Sequence, residues 1–118
     1  MGNGIAYERA YRFSIDIVRV YQKLVQEKRE YVLSKQLLRC GTSIGANLAE
    51  AGAAISDNDL SAKVSIAYKE CQETKYWLNL MKDTDYLTES TFGDLHKKAD
   101  EIGAILFATL RKTRMKGR

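Results

Sequence analysis

A chain of 118 residues carrying a net charge of +4, with 29% charged residues and no proline, is one domain with enough length to bury its own core. Its aliphatic residues recur with helical rather than alternating spacing, which excludes a strand-built fold. No apolar run reaches bilayer length, so no spanning segment and no membrane partner are expected. The excess charge is local: RKTRMKGR, residues 111–118, holds five basic residues and no acid, leaving 14 Lys and Arg against 15 Asp and Glu elsewhere.

The first predicted helix covers residues 5–28, with Ala6, Ala10, Phe13, Ile17, Val20 and Leu24 stepping by three and four along one seam. Beside it runs a second line, Tyr11, Ser14, Val18, Tyr21 and Val25, wider than one partner helix requires. The second helix, residues 31–54, has its seam at Leu33, Leu37, Cys40, Ile44, Leu48, Ala51 and Ile55. Its neighbouring face carries a small residue at every fourth place: Gly41, Gly45, Ala49 and Ala53. Glycine costs about 1 kcal/mol against alanine inside a helix, so this ladder points to another backbone packed closely against it.

Ser56 and Asp59 stand at capping-box spacing and open a third helix, residues 58–82, with a seam of Leu60, Val64, Ala67, Cys71, Thr74, Leu78 and Met81. Ile66, Trp77 and Leu80 widen that seam. After KDTDY, Thr88 is placed to cap a fourth helix, residues 88–114, packed through Phe92, Leu95, Ala99, Ile102, Leu106 and Thr109. Short connections make successive helices antiparallel neighbours. The expected fold is therefore all-α, an antiparallel up-down-up-down four-helix bundle spanning residues 1–118.

If the second and third helices turn around residues 56–57, positions whose numbers sum to about 113 share a level. Glu50 then meets Lys63, Ser43 meets Glu70, and Arg39 lies beside Glu73 or Thr74, with Gln36 and Asn47 on the same polar strip. These pairs are expected to satisfy one another and fix register. Cys40 and Cys71 fall in adjacent layers of the apolar seam, without metal or redox spacing, and are expected to be free, buried thiols. The protein is expected in a reducing cytoplasm, since nothing in the sequence has the form of a signal peptide. The opening MGNG lacks the hydroxyl residue that a myristoylation signal places where Ala6 stands.

Enzymatic readings meet obstacles in the residue pattern. Glu70 and Glu73, one turn apart, suit a divalent cation in a metal-dependent nucleotide hydrolase, but no Glu in the sequence has Asp three places on. The single histidine, His96, has Gly93 rather than Glu three residues before it, against a di-iron bundle. Ser43 lies in Gly-x-Ser-x-Gly within a helix, whereas a nucleophile elbow needs a strand-to-helix turn. No catalytic residue, metal or cofactor is expected. The basic tail, Arg111, Lys112, Arg114, Lys116 and Arg118, exceeds what a helix dipole and solubility require and suits a polyanion. Arg12 and Arg19, one heptad apart, are candidates to extend it.

SKQLLRCGTSIGANLAEA and KVSIAYKECQETKYWLNLM closely resemble the small bacterial four-helix bundle proteins encoded by intervening sequences of 23S ribosomal RNA genes. The positions that recur in that family are matched by Gln36, Ser43, Gly45, Asn47, Glu50, Lys63, Glu70, Glu73 and Trp77. The resemblance implies a homopentameric ring, whose interface would bury the second apolar line and the small-residue ladder. A related branch comprises basic pentameric accessory proteins of diversity-generating retroelements that bind nucleic acid. Three functions follow as expectations. The leading one is a non-enzymatic homo-oligomer that binds RNA or DNA through the backbone; the alternatives are a protein-interaction scaffold and, more remotely, the hydrolase.

Overall fold

The computed structural model describes residues 4–116, with side chains described as far as Thr113. Four helices follow in order: α1 Gly4–Glu27, α2 Leu33–Ala51, α3 Asp57–Asp83 and α4 Glu89–Lys116. Each packs against two others in the cycle α1, α2, α3, α4 and back to α1; among the described residues no diagonal pair meets. The bundle is 49 Å long and about 20 Å across.

Antiparallel order is visible in which residues meet. Ile17 and Ala10 of α1 lie against Gly41 and Gly45 of α2 respectively. Lys63 of α3 reaches Glu50 of α2, Cys71 of α3 meets Ala99 of α4, and Lys98 of α4 returns to Asp16 of α1. The all-α up-down-up-down bundle expected from periodicity is the observed fold. Its core holds Phe13, Ile17, Leu37, Ile44, Leu48, Leu78, Met81, Leu95, Ile102 and Leu106, all fully buried. Those side chains occupy one face per helix, as three- and four-residue spacing dictates.

Helix starts are fixed by side chains. Ser56 accepts from the Asp59 N–H, as its spacing anticipates, while the Asp59 carboxylate reaches one residue further back and accepts from the Ile55 N–H; Thr88 accepts from the Thr91 N–H. At α2 the cap comes from outside the predicted scheme: the Glu30 carboxylate accepts from the backbone N–H groups of Val32, Leu33 and Ser34. The chain reverses just before it, at Arg29, whose φ of 52° lies in the left-handed region.

The second helix is shorter than expected at both ends. Tyr31 and Val32 precede it and are exposed, and it stops at Ala51, after which Ala53 and Ala54 donate in tight turns to the Glu50 and Ala51 carbonyls. Ala53 therefore lies outside the helix and is not a rung of its ladder. Ile55, assigned to the seam, is 95% exposed, since it sits in the loop that delivers Ser56 to its capping position. Ile66, placed at the widened margin of the third helix, is also exposed, at 41%.

The ladder itself is split. Gly41 and Gly45 are buried within the single chain against α1: a Cβ on Gly41 would meet the Ile17 side chain, and one on Gly45 would lie 3.5 Å from the Ala10 carbonyl carbon and oxygen. Ala49 is exposed. The two glycines are thus accounted for inside one bundle, without a second copy.

Candidate functional site

Along the α2–α3 flank the polar residues form a ladder of short contacts. Lys63 donates to Glu50 at 2.6 Å, and that hydrogen bond is the main cause holding its ammonium above the ordinary lysine value. Arg39 donates to Glu70 at 3.3 Å and, through its other terminal nitrogen, to Glu73. Trp77 Nε1 donates to the same Glu73 carboxylate at 3.2 Å. Partial burial works against the Arg39 charge, but Glu73 and Glu70 outweigh it and raise its pKa.

Two of the anticipated partners resolve differently. The Ser43 hydroxyl donates to the Arg39 carbonyl of its own helix at 2.7 Å rather than to Glu70, whose carboxylate is engaged by the longer Arg39 side chain. Asn47 likewise donates to the Ser43 carbonyl, and Gln36 is half-buried on the same strip. Glu70 and Glu73 share a guanidinium, and among the described residues no group of three or more metal-ligating side chains comes together. His96 lies 3.5 Å from Asp100, which is also bonded by Lys75.

Cys40 and Cys71 are free and fully buried. Burial pushes both thiols up to about 11. They are far from the thiolate character that reactive cysteines require.

The opposite side of the bundle is more open. Three hollows run end to end between α1 and α4; neighbouring ones share Asp16, then Val20 and Thr91, so they form one groove. Phe13, Val20, Leu95 and Ile102 lie along its floor. Arg12 and Arg19, both predicted, stand on its α1 wall and are exposed, and the structure adds Arg9 and Lys23 on the same wall. Steps of three, seven and four residues place all four on one flank of the helix. The signal for Arg9 and Lys23 was present in the sequence, but it shows only once the α4 side of α1 is known.

Of the four acidic groups lining the groove, Asp16 and Asp94 share one cation, whereas Glu27 and Glu101 have no ion-pair partner among the described residues. Lys98 bonds Asp16 at 2.8 Å and Asp94 at 3.1 Å, and those two bonds are the chief reason its pKa is raised. Arg9, Arg12, Arg19 and Lys23 have no side-chain partner among the described residues. Arg111 and Lys112 are exposed near the end of α4, whereas Arg118 and the side chains of Arg114 and Lys116 lie outside the described residues. With Ala6 level with Leu106 and Thr109, Arg111 stands roughly nine residues of helix beyond the level of Arg12, about 14 Å. Of the basic cluster at 111–118, the described Arg111 and Lys112 are thus set apart along the bundle from Arg12 and Arg19.

A third surface follows the second line of α1. Tyr11 is 57% exposed and Val18 38%, Tyr21 and Val25 are half-buried, and Tyr7 packs against Tyr11 with ring centroids 6.2 Å apart. The line borders α2 next to Ser14, whose hydroxyl would lie 3.4 Å from a Cβ on Gly45.

The model of the family described as 23S rRNA-intervening sequence protein matches residues 3–108. The chain belongs to that family. Among solved structures, this member of the 23S rRNA-intervening sequence family is similar to a protein of unknown function from the S23 ribosomal protein family of Bacteroides thetaiotaomicron VPI-5482, determined at 1.70 Å. The two are 40% identical, with a TM-score of 0.91, over 94% of this chain and 99% of the other. No curated protein matches the sequence. The family was legible in the two middle helices, where the polar ladder and the buried glycines lie.

Proposed function

We propose that this protein is a non-enzymatic, homo-oligomeric helical bundle, pentameric in its assembly, that associates with RNA or DNA through phosphate electrostatics. The observation that carries the reading is the segregation of charge: five basic residues fill 111–118, while the rest of the chain has a net charge of −1. Exposed Arg111 and Lys112 begin that cluster at one end of the bundle. The family's description refers to 23S rRNA, and that of the Bacteroides relative to a ribosomal protein family, which supports an RNA setting. A cytoplasmic location fits the same setting.

Self-association is supported by the exposed line of Tyr11 and Val18, which no helix of the single chain covers. Several copies would multiply a weak phosphate attraction by avidity. The same line also favours a second reading, a scaffold that docks a protein partner, in which the tail serves only solubility. For the nucleotide hydrolase, Glu70 and Glu73 would have to release Arg39 before sharing a cation.

Binding of arbitrary RNA measured against salt tests the proposal. Affinity should fall steeply with ionic strength, and replacing Arg111, Lys112, Arg114, Lys116 and Arg118 by Gln should lower the slope by about 0.7–0.9 for each phosphate that the tail no longer neutralises. Absence of binding at low ionic strength would remove the nucleic-acid reading and leave the scaffold.

A further inference from the structure

We infer that the α1–α4 groove is a track for one nucleic-acid strand, distinct from the basic tail; this rests on the nucleic-acid reading above and assigns it a site. The four unpartnered cations, Arg9, Arg12, Arg19 and Lys23, line one wall over fourteen residues of helix, about 21 Å. A row of that length matches a linear polyanion better than a single phosphate or carboxylate. Three of the four are arginines, whose planar forks hold phosphate oxygens in pairs.

Charge across the groove selects one strand over two. Lys98 shares its single charge between Asp16 and Asp94 near the middle, leaving one negative charge there, while the α1 wall as a whole, with Arg9, Arg12, Arg19, Lys23 and Lys28 against Asp16 and Glu27, presents a net positive field to anything lying against it. Packed helix axes lie about 8–10 Å apart, so the furrow between them admits a single backbone. A duplex would have to ride on the helix crests, with its second strand above Asp94 and Glu101 on the α4 wall, where phosphates are repelled. In the strand-bound arrangement the phosphates lie along the α1 cations. The floor offers no base-reading amides, so recognition is of the backbone.

The test uses the full chain with two labelled probes, an oligouridylate of about 12 nucleotides and an RNA duplex of the same length, in anisotropy titrations at several salt concentrations. Single strand is expected to bind more tightly than duplex. Replacing Arg9, Arg12, Arg19 and Lys23 by Gln should weaken strand binding at least tenfold and reduce the salt slope by about 3. Glu101→Gln, which removes a repelling carboxylate without touching the cations, should tighten it. Circular dichroism and light scattering on each variant establish that fold and assembly are retained. If the unsubstituted chain binds neither probe, the functional reading fails and the track with it. Should the tail substitutions abolish binding while the groove substitutions do not, or should duplex bind as well as single strand, the track alone is refuted.

Discussion

Ile17 on α1 lies directly over the bare Cα of Gly41 on α2: a Cβ built there would meet the Ile17 Cγ1 at 2.9 Å and Cγ2 at 3.0 Å. Both are the stiff branches of a β-branched side chain in a fully buried position, so neither can swing aside. Gly41→Ala should therefore destabilise the bundle by about 1–3 kcal/mol through overpacking, even though alanine favours the helix by about 1 kcal/mol. Urea unfolding checks the value. In an Ile17→Ala background the same change should become neutral or stabilising, and additive behaviour across that cycle would show that the contact is not what excludes the methyl.

That contact also shows where the sequence was readable and where it was not. Seams at Phe13, Ile17, Leu37, Ile44, Leu78 and Ile102 follow from three- and four-residue spacing, because burial on one helix face leaves a periodic record. The Glu50–Lys63 pair and the Arg39 contact with Glu73 follow from counting around the hairpin. The small-residue ladder was legible as a close approach, but its partner was not: Gly41 and Gly45 look the same whether the neighbouring helix belongs to the same chain or another. Ile55 misled for a related reason, since hydrophobic periodicity continues through it while the tight turns at Ala53 and Ala54 follow the end of the helix and Ser56 caps the next. Glu30 was missed as a cap because it lies two residues upstream of the usual position, behind a left-handed turn at Arg29. The row of cations on α1 needed the position of α4 to become a wall.

Glu30 ties the start of α2 to pH. Burial raises its pKa, but hydrogen bonds from the N–H groups of Ser34, Leu33 and Val32, with the Ser34 side chain, together bring it below the ordinary value of 4.5. A carboxylate whose folded pKa is depressed contributes stability that is complete above its unfolded value and is lost as pH falls through the folded one. Glu30→Gln should cost about 1 kcal/mol at pH 7, by analogy with other helix caps, with little difference from the unsubstituted protein at strongly acid pH. Chemical denaturation across the acid limb measures the convergence. A constant gap at every pH would mean that the substitution acts through packing rather than charge.

At the alkaline end the buried thiols dominate the expectation. Cys40 and Cys71 ionise near 9.0 when unfolded and are pushed up to about 11 by burial in the bundle. For such groups the folded state favours the neutral form, so their contribution is complete below pH 9 and is lost as pH rises towards 11. Each thiol then removes up to about 1.4 kcal/mol per pH unit within that window. Cys71→Ala should make the alkaline limb of the stability curve shallower, and both cysteines should resist iodoacetamide at pH 8 until urea unfolds the chain. Rapid labelling of the native protein would contradict their assignment as inert core residues.

The line of Tyr11, Val18, Tyr21 and Val25 decides the assembly question, because the glycines beside it are already covered by α1 and no longer demand a second copy. Tyr11 and Val18 are the more exposed pair and make few demands on the monomer fold, so charge can be placed there without emptying the core. Tyr11→Lys with Val18→Lys should leave helicity and unfolding midpoint nearly unchanged while shifting the mass in light scattering from about 67 kDa, five times the 13.4 kDa chain, to that of one chain. Charged side chains brought together at a symmetric interface would be repeated in every copy, which makes the pair of substitutions sharply disruptive there and nearly silent elsewhere. An unsubstituted protein that runs at the mass of one chain would leave this line as docking surface for a different protein.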